Sequence, residues 1–288
     1  MFIAIGFVII IACVFGGFVL AGGALGPLLQ PLELLIIGGA ALGAFIAANS
    51  SKSMRATLKV AGKLRASTRY SSATYLALLG LLYQLLTKMR RDGMLAVEQD
   101  IENPEESAIF SEFPEIQSDT LLCNFITDYL RLMISGNMNP HELDELMLHE
   151  IETFEQEGAI PADALSRVGD AMPAFGIVAA VLGVVRALSS ADVAPDVMGT
   201  MIAHALVGTF LGILLGYGFV NPVAGRIELQ MAEVSKTLQV IRVTLLASAH
   251  GYAPQLAVEF GRKGLHVQER PSFTELEQYI RGDATEAA

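Results

Sequence analysis

The most informative stretch of the sequence reads ALVGTFLGILLGYGFVNP at residues 205–222. Gly208, Gly212 and Gly216 recur at every fourth position, so a helix places all three on one face. The segment 198–220 contains no Asp, Glu, Lys or Arg. Because lipid provides no hydrophobic force between helices, glycine stripes that let backbones approach closely are typical of packed membrane helices. The stretch therefore predicts a membrane span that packs against a neighbouring helix through these three glycines.

The composition agrees with a membrane protein. Hydrophobic residues make up 52% of the 288 residues and charged residues 17%, whereas soluble domains have about 25% charged residues. Four apolar segments are long enough to cross a hydrocarbon core of roughly 30 Å: residues 1–20, 32–49, 172–188 and 198–220. No Lys or Arg precedes the first apolar run, so we expect a retained helix rather than a cleaved signal peptide. The segments predict an all-α integral membrane protein with four transmembrane helices.

Basic residues indicate how these spans are oriented. The linkers 21–31 and 189–197 contain no Lys or Arg, and we expect them to be short periplasmic loops. The exit of the second span is crowded with basic residues, namely Lys52, Arg55, Lys59, Lys63, Arg65 and Arg69. The positive-inside rule then places both termini and the large middle segment in the cytoplasm. The basic segment is more simply a surface that contacts membrane lipids than a nucleic-acid site.

The spans divide the chain into four parts. These are transmembrane helices 1 and 2 in residues 1–50, a cytoplasmic helical domain in 51–171, transmembrane helices 3 and 4 in 172–222, and cytoplasmic C-terminal helices in 223–288. Residues 51–168 contain 11 Lys and Arg against 18 Asp and Glu, a difference of −7. That balance argues against a nucleic-acid partner, because phosphate binding needs a basic footprint.

Apolar periodicity predicts helices throughout the middle domain. Pro140 opens an acidic helix over 141–156, and Pro161 begins a separate helix that continues into the third span. At the other end, the fourth span runs past Pro222 into residues 227–246. We therefore expect the last two membrane helices to extend into the cytoplasm.

Two prolines stand at matching ends of spans three and four. Pro173 and Pro222 each remove a backbone hydrogen bond and bend a helix axis. They are either hinges or ordinary helix punctuation, and their shared position at the cytoplasmic boundary favours hinges. Thr209 is the one polar side chain well inside the fourth span. Its hydroxyl either bonds to a carbonyl of its own helix or lines a narrow wet path together with Ala180 and Tyr217.

Acidic residues are absent from the predicted span interiors, since Glu33 and Asp170 stand at the edges of theirs. Hydroxyl and backbone groups do not titrate near neutral pH. An ion that crosses the membrane here would therefore need a carboxylate from a partner, because an acid inside a membrane is costly and functional by default.

Outside the spans, Arg90 and Glu98 flank the helix break at Gly93. Such a pair is either an ordinary solvated surface or a tip that docks another protein. No metal-ligand spacing, phosphate loop, nucleophile elbow or dinucleotide fingerprint is found in the sequence. The sequence therefore predicts neither an enzyme nor a bound cofactor.

The chain resembles the MotA family of flagellar motor stator subunits along nearly its whole length. The resemblance rests on the motifs VFGGF, PLELLIIGGA, RRDGMLAVEQDIENP, PAFGIVAAVLGVV and HALVGTFLGILLGYG, at residues 14–18, 31–40, 90–104, 173–185 and 204–218. Two C-terminal motifs add to it, GYAPQLAVEFGRK at 251–263 and ERPSFTELE at 269–277.

The resemblance implies a ring of subunits, taken as a pentamer, around two copies of MotB, which supplies the transmembrane Asp that carries the ion. It implies that Pro173 and Pro222 couple ion passage to conformational change, and that Arg90 and Glu98 contact the rotor protein FliG. Glu150 falls where the family has a further acidic residue with a lesser role. The implied ion is H+ rather than Na+, and the implied location is the bacterial inner membrane.

Two other classes of function stay open at this point. One is an energy transducer of the ExbB/TolQ type, which drives an outer-membrane partner rather than a rotor. The other is a membrane scaffold without ion coupling. Four spans and the segment from Arg90 to Glu98 favour the motor.

Overall fold

The computed structural model describes residues 2–62, 70–136, 138–189 and 194–282. Lys63, Arg65 and Arg69 of the basic segment lie outside these ranges. The described residues form thirteen α-helices and no strand: α1 (Phe2–Leu20), α2 (Pro31–Ala48), α3 (Ser51–Ala61), α4 (Ser72–Asp92), α5 (Glu98–Glu102), α6 (Ala108–Ser111), α7 (Pro114–Gln117), α8 (Thr120–Ser135), α9 (Pro140–Leu188), α10 (Pro195–Leu215), α11 (Asn221–Ala249), α12 (Pro254–Gly264) and α13 (Phe273–Arg281).

Four of the described helices are long and apolar enough to span a membrane. They are α1, α2, α9 and the helix that runs from Pro195 to Ala249 through α10 and α11. The prediction of four membrane-spanning helices is therefore confirmed. α9 has 49 residues and the Pro195–Ala249 helix has 55, so both are far longer than the roughly 20 residues that a bilayer requires.

The continuity of α9 differs from the sequence prediction. A separate helix beginning at Pro161 was expected, but α9 is unbroken from Pro140 to Leu188 and contains Pro161 and Pro173. A proline inside a helix removes one hydrogen bond and costs about 3 kcal/mol. Here the turns on both sides stay hydrogen-bonded, and the residues that follow Pro161 are packed, with Ala164 fully buried. Packing of this turn offsets the lost bond, which the local pattern does not show.

The chain forms two compact units, one of residues 1–67 and 158–229 and the other of residues 68–157 and 230–288. In the second unit, α4 begins with a capping box in which Ser71 and Thr74 bond to each other's backbone. Its apolar face then enters a large core with α8 and α11. Fully buried members of that core are Leu78, Leu82, Leu85, Ile126, Leu130, Ile241 and Leu245.

The first unit contains the four membrane spans and has a small core. Ile37, Ala179, Val207 and Leu211 form its buried cluster, and Leu28 packs against it. Leu28 belongs to a short 3₁₀ turn, Gly26–Leu28, that contacts α10. The linker before α2 therefore lies beside the middle of α10.

The α1 helix joins this unit through aromatic pairs. Phe7 packs against Phe219 with ring centroids 5.0 Å apart, and Phe15 meets Phe210 edge-on at 6.2 Å. No residue of α1 is buried. An apolar helix with an uncovered surface fits contact with lipid or with further subunits.

Candidate functional site

The glycine face of α10 lies directly on the backbone of α9. A methyl group placed on Gly212 would lie 2.6 Å from the carbonyl oxygen of Met172, and one on Gly208 would lie 3.1 Å from the methyl carbon of Ala179. A methyl group on Gly216 would overlap the carbonyl oxygen of Gly169. These three positions therefore have room for hydrogen only, which is how a glycine stripe brings two membrane helices into backbone contact.

The matching face of α9 was only partly found by sequence reasoning. Gly176 and Gly183 meet α10: a methyl group on Gly176 would lie 2.7 Å from the carbonyl oxygen of Gly208, and one on Gly183 would lie 2.6 Å from Cβ of Ala205. Gly169 meets Gly216 and Asn221, just beyond the end of α10. The three α9 glycines are seven residues apart. Two helical turns separate each from the next, so they share a face. This spacing is the signal that could have identified the contact.

Pro173 leaves a carbonyl group free at the point of closest approach. In a regular helix its backbone nitrogen would donate to the carbonyl of Gly169, but proline has no N–H. That carbonyl faces Gly216. Cδ of Pro173 would itself lie 3.1 Å from a methyl group on Gly216. Pro173 within α9 and Gly216, the last glycine of the stripe, are thus in contact.

Pro222 also stands at a break. The five residues before Asn221 form a π-helix, Gly216–Val220, between α10 and α11. Pro222 cannot donate to the carbonyl of Gly218, and the wider π-turn accommodates its ring. Such π-segments are rare and occur frequently at functional sites. Both prolines therefore loosen their helices where these helices touch.

A polar contact that the sequence did not predict closes this region. The Asn221 side-chain amide donates to Asp170, and its oxygen is buried against Gly169 without a hydrogen-bond partner. Gly169 therefore leaves the space that the amide occupies. The motif pattern contained no sign of this pairing, since the two residues are 51 positions apart.

The three residues predicted to line an ion path occupy different surroundings. Ala180 is 8% exposed, Thr209 is half-buried and Tyr217 is 56% exposed. Neither Thr209 nor Tyr217 forms a hydrogen bond with another side chain in the part of the chain that the structure describes. Their hydroxyl groups are therefore available to water, to an ion or to a partner.

Glu33 departs from its predicted position. As expected, it lies in the first turn of α2, at the edge of the second span. Its side chain nevertheless reaches the middle of the fourth span, where a methyl group on Gly208 would lie 2.8 Å from its Oε2. The expectation that no acid enters the span interiors was therefore wrong for Glu33. A residue at the end of its own helix can still lie beside the middle of a neighbouring helix.

The second unit contains the predicted docking residues. Arg90 and Glu98 are both exposed, and Gly93 between them has a φ of +94°, which favours glycine at this break. Arg91, the residue after Arg90, forms an ion pair with Asp92 at 2.8 Å. The hydrogen-bonded guanidinium lowers the pKa of the Asp92 carboxyl. Arg90 forms no ion pair or hydrogen bond with any described residue, so its charge is free to meet a partner.

Arg90 also borders a groove of about 240 Å³. The groove is lined by Leu86, Met94, Tyr252 and Pro254, among others. Met94 and Tyr252 are each close to half-exposed. A free cation beside exposed apolar side chains is a suitable surface for a protein partner, because interfaces combine apolar contacts with charge complementarity.

Glu150 is exposed but already has a partner. The Tyr129 hydroxyl donates to its Oε2 at 2.6 Å. Burial of the phenol, followed by its bond to the Glu150 carboxylate, raises the pKa of Tyr129, so the hydroxyl stays a donor. The bond holds the Glu150 carboxylate in one orientation on α9.

Comparisons with known proteins support the family suggested by the motifs. A model described as motility protein A N-terminal matches residues 4–93, and a model of the MotA/TolQ/ExbB proton channel family matches residues 117–240. Motility protein A of Salmonella typhimurium is 53% identical over 98% of this chain and 95% of that protein. The chain belongs to the motility protein A family. Motility protein A of Escherichia coli is also 53% identical, over 98% of this chain and 95% of that protein. Chemotaxis protein LafT of Vibrio parahaemolyticus is 37% identical over 96% of this chain and 97% of the LafT chain.

Solved structures of MotA-family complexes have the same fold. The structure of C. jejuni MotAB covers 94% of this chain and 98% of that chain, with a TM-score of 0.78 at 22% identity. The MotAB stator complex from Bacillus subtilis covers 95% and 97%, with a TM-score of 0.76 at 24% identity. The predicted MotA family and the predicted all-α membrane fold are confirmed. TolQ and ExbB share only the description of the second family model, so whole-chain similarity favours the motor over that alternative.

Proposed function

We propose that this chain is the channel-forming subunit of a flagellar stator in the bacterial inner membrane. It couples the inward flow of H+ to torque on the rotor. The observation that carries the proposal is the contact between the free carbonyl of Gly169, left by Pro173, and Gly216 at the start of the π-turn before Pro222. In α9 the turn at Pro173 lacks one backbone hydrogen bond, and the segment before Pro222 is a π-turn. The two helices therefore meet where each departs from a regular hydrogen-bond ladder, which suits a coupling element.

The ion-carrying carboxylate comes from a MotB subunit in this proposal. Between Met172 and Leu188 and between Met198 and Val220 there is no Asp or Glu. Helices α9 and α10 therefore supply small side chains and the hydroxyl of Thr209, but no acid, to a path between them and a partner helix. Several copies of the chain, five by family resemblance, surround the two MotB helices. H+ is the transported ion, rather than Na+.

The rotor is contacted through Arg90 and Glu98. Both side chains are exposed, and Arg90 has no partner among the described residues. Like charges brought together across such an interface cost several kcal/mol, so the two positions select a rotor surface of complementary charge. Both chain termini are in the cytoplasm, as the basic residues after α2 indicate.

Reconstitution tests the proposal directly. The full-length chain is placed in liposomes alone, with a MotB that lacks its plug segment, or with that MotB carrying Asn at its transmembrane Asp. We expect H+ influx, followed by a trapped pH dye under an imposed potential, only in the second preparation. Equal flux from the chain alone would show that this subunit has a complete path of its own and that the borrowed carboxylate is not needed.

A further inference from the structure

The carboxyl group of Glu33 occupies an unusual place inside the first unit. Its Oε2 has essentially no contact with solvent and no hydrogen-bond partner among the described residues. It lies over Gly208, so that a methyl group there would approach it to 2.8 Å. The next nearest atoms to such a methyl group are the methyl carbon of Ala179 and the carbonyl oxygen of Gly176. Neither can donate a hydrogen bond to a carboxylate.

The depth of this group follows from helix lengths. Gly208 stands 12 residues before Val220, or about 18 Å at 1.5 Å per residue, and Glu33 stands 15 residues before Ala48, or about 22 Å. The end of α2 at Ala48 and the start of α11 at Asn221 meet α9 at the same level. Ala48 and Asn49 line a cavity with Arg167 and Ala171, and Asn221 bonds to Asp170. Glu33 thus lies about 20 Å above that level, inside a hydrocarbon core of roughly 30 Å.

No neighbouring positive charge among the described residues is paired with Oε2 of the Glu33 carboxyl group. Titratable and charged side chains on the spans packed around it include Asp196 and His204 on α10 and Asp170 and Arg186 on α9. None of them donates a hydrogen bond to Oε2 of Glu33. An isolated carboxylate in an apolar interior is strongly disfavoured. A proton bound to the carboxyl removes the charge without requiring any other partner.

We propose that Glu33 is a proton-binding residue that this chain itself contributes to the H+ route. Its carboxyl group lies beside Gly208, the residue before Thr209 on α10. Uptake of one H+ converts the carboxylate to the neutral carboxyl and release restores it, and only an O–H bond is formed or broken. The glycine at 208 has a second role in this arrangement, because any side chain there would displace the carboxyl. The inference rests on the proposed function, and its tests are separable from those of that function.

The first test needs no MotB. Dicyclohexylcarbodiimide is an apolar reagent that adds to protonated carboxyl groups, and the adduct rearranges to a stable N-acylurea that mass spectrometry can locate. With the full-length chain in liposomes we expect modification at Glu33, decreasing as the pH is raised and unchanged by Na+. Glu142, at the start of α9 and exposed, is the internal control that should stay unmodified. No adduct at Glu33, or protection by Na+ rather than by high pH, would overturn the proton assignment.

The second test measures flux with MotB present. We expect Glu33→Gln, which keeps the shape but cannot exchange a proton, to lower H+ flux several-fold, and Glu33→Asp to retain more of it. Gly208→Ala should also lower flux, since it displaces an intact carboxyl. Leu32→Gln adds the same amide at the neighbouring exposed position and should leave flux unchanged. Wild-type flux in Glu33→Gln would remove the residue from the route. If the wild-type complex conducts nothing, the proposed function fails while the carbodiimide result still decides proton binding.

Discussion

Asn221 donates a hydrogen bond of 2.8 Å from Nδ2 to Oδ1 of Asp170, which ties the start of α11 to α9 beside both proline breaks. Pro222 is the next residue along the chain, and Pro173 is three residues after Asp170. The bond is exposed and links two helices that each contain a proline nearby. This side-chain contact therefore bridges the two helices at the level of both prolines.

Replacing either proline with alanine tests whether this region is a hinge. Pro173→Ala restores an N–H for the carbonyl of Gly169, and Pro222→Ala restores one for Gly218. Each change removes a cost of about 3 kcal/mol, so we expect stable stators with several-fold lower torque at high load. Tethered-bead rotation measures the torque, and immunoblots of membranes measure the amount of protein. Normal torque in both variants would reduce the prolines to helix punctuation.

The glycine contacts predict opposite effects for two similar substitutions. Gly212→Ala would place a methyl group 2.6 Å from the carbonyl oxygen of Met172, whereas a methyl group on Gly225 meets nothing within 4 Å. We expect Gly212→Ala to destabilise the chain by about 1–3 kcal/mol through overpacking. Gly225→Ala should be neutral or stabilising by up to about 1 kcal/mol from helix propensity. Thermal unfolding of the purified chain in detergent compares them, and equal midpoints would contradict the close packing.

The sequence was sufficient for the spans and for the glycine stripe because both depend on local pattern. The length of an apolar segment shows whether it can span a bilayer. Residues spaced four positions apart lie on the same face of a helix. The partner glycine Gly176 was missed, because the contact depends on how two helices pair. Pro161 was misread as a helix start, since tertiary packing overrides a local breaker. The position of the Glu33 carboxyl group beside Gly208 could not be predicted either, because it depends on how α2 and α10 pair.

Glu259 supports the C-terminal part of the second unit. Its carboxylate accepts two hydrogen bonds of 2.6 Å from Arg262, whose side chain is 7% exposed and also donates to the carbonyl of Pro271. The Arg262 bonds hold the pKa of Glu259 below its usual value of 4.5. A depressed pKa adds stability that is present above the usual pKa and is lost as the pH falls through the folded value.

We therefore expect Glu259→Gln to lower the free energy of unfolding by about 1–3 kcal/mol near neutral pH. The difference from wild type should shrink as the pH falls below 4.5, the usual pKa of the group. Glu277→Gln is a matched control, because its partner Arg281 is 62% exposed and such pairs contribute about 0–1 kcal/mol. Thermal unfolding at several pH values measures both. A difference that is constant with pH would contradict the charge pairing.

The orientation of the spans is open to direct chemical test. The base-free linkers predict that single cysteines at Leu25 or Ala194 react with an impermeant thiol reagent added to intact cells. Cysteines at Gln268, or at Ser67 beyond the described residues, should react only after the membrane is opened. Labelling is compared in a background without native cysteines. Reaction at Gln268 in intact cells would reverse the topology.

Charge reversal tests the docking surface around Arg90 and Glu98. Both side chains are exposed, so Arg90→Glu and Glu98→Lys should leave folding and assembly with MotB intact. Swimming should nevertheless fall sharply, since a like-charge contact across an interface costs several kcal/mol. Arg281→Glu makes the same charge change at an exposed side chain of α13, and cells with this variant should swim normally.

Rescue distinguishes docking from a general loss of function. If Arg90 meets a carboxylate of the rotor, a charge change on the rotor protein should partly restore swimming in Arg90→Glu while impairing the wild-type stator. The same rotor change should not rescue a proline variant, because that defect lies in the membrane unit. H+ flux in liposomes should be unaffected by Arg90→Glu, as the substitution is remote in sequence from every span residue named above. Loss of flux, or loss of the protein from the membrane, would instead assign Arg90 a structural role.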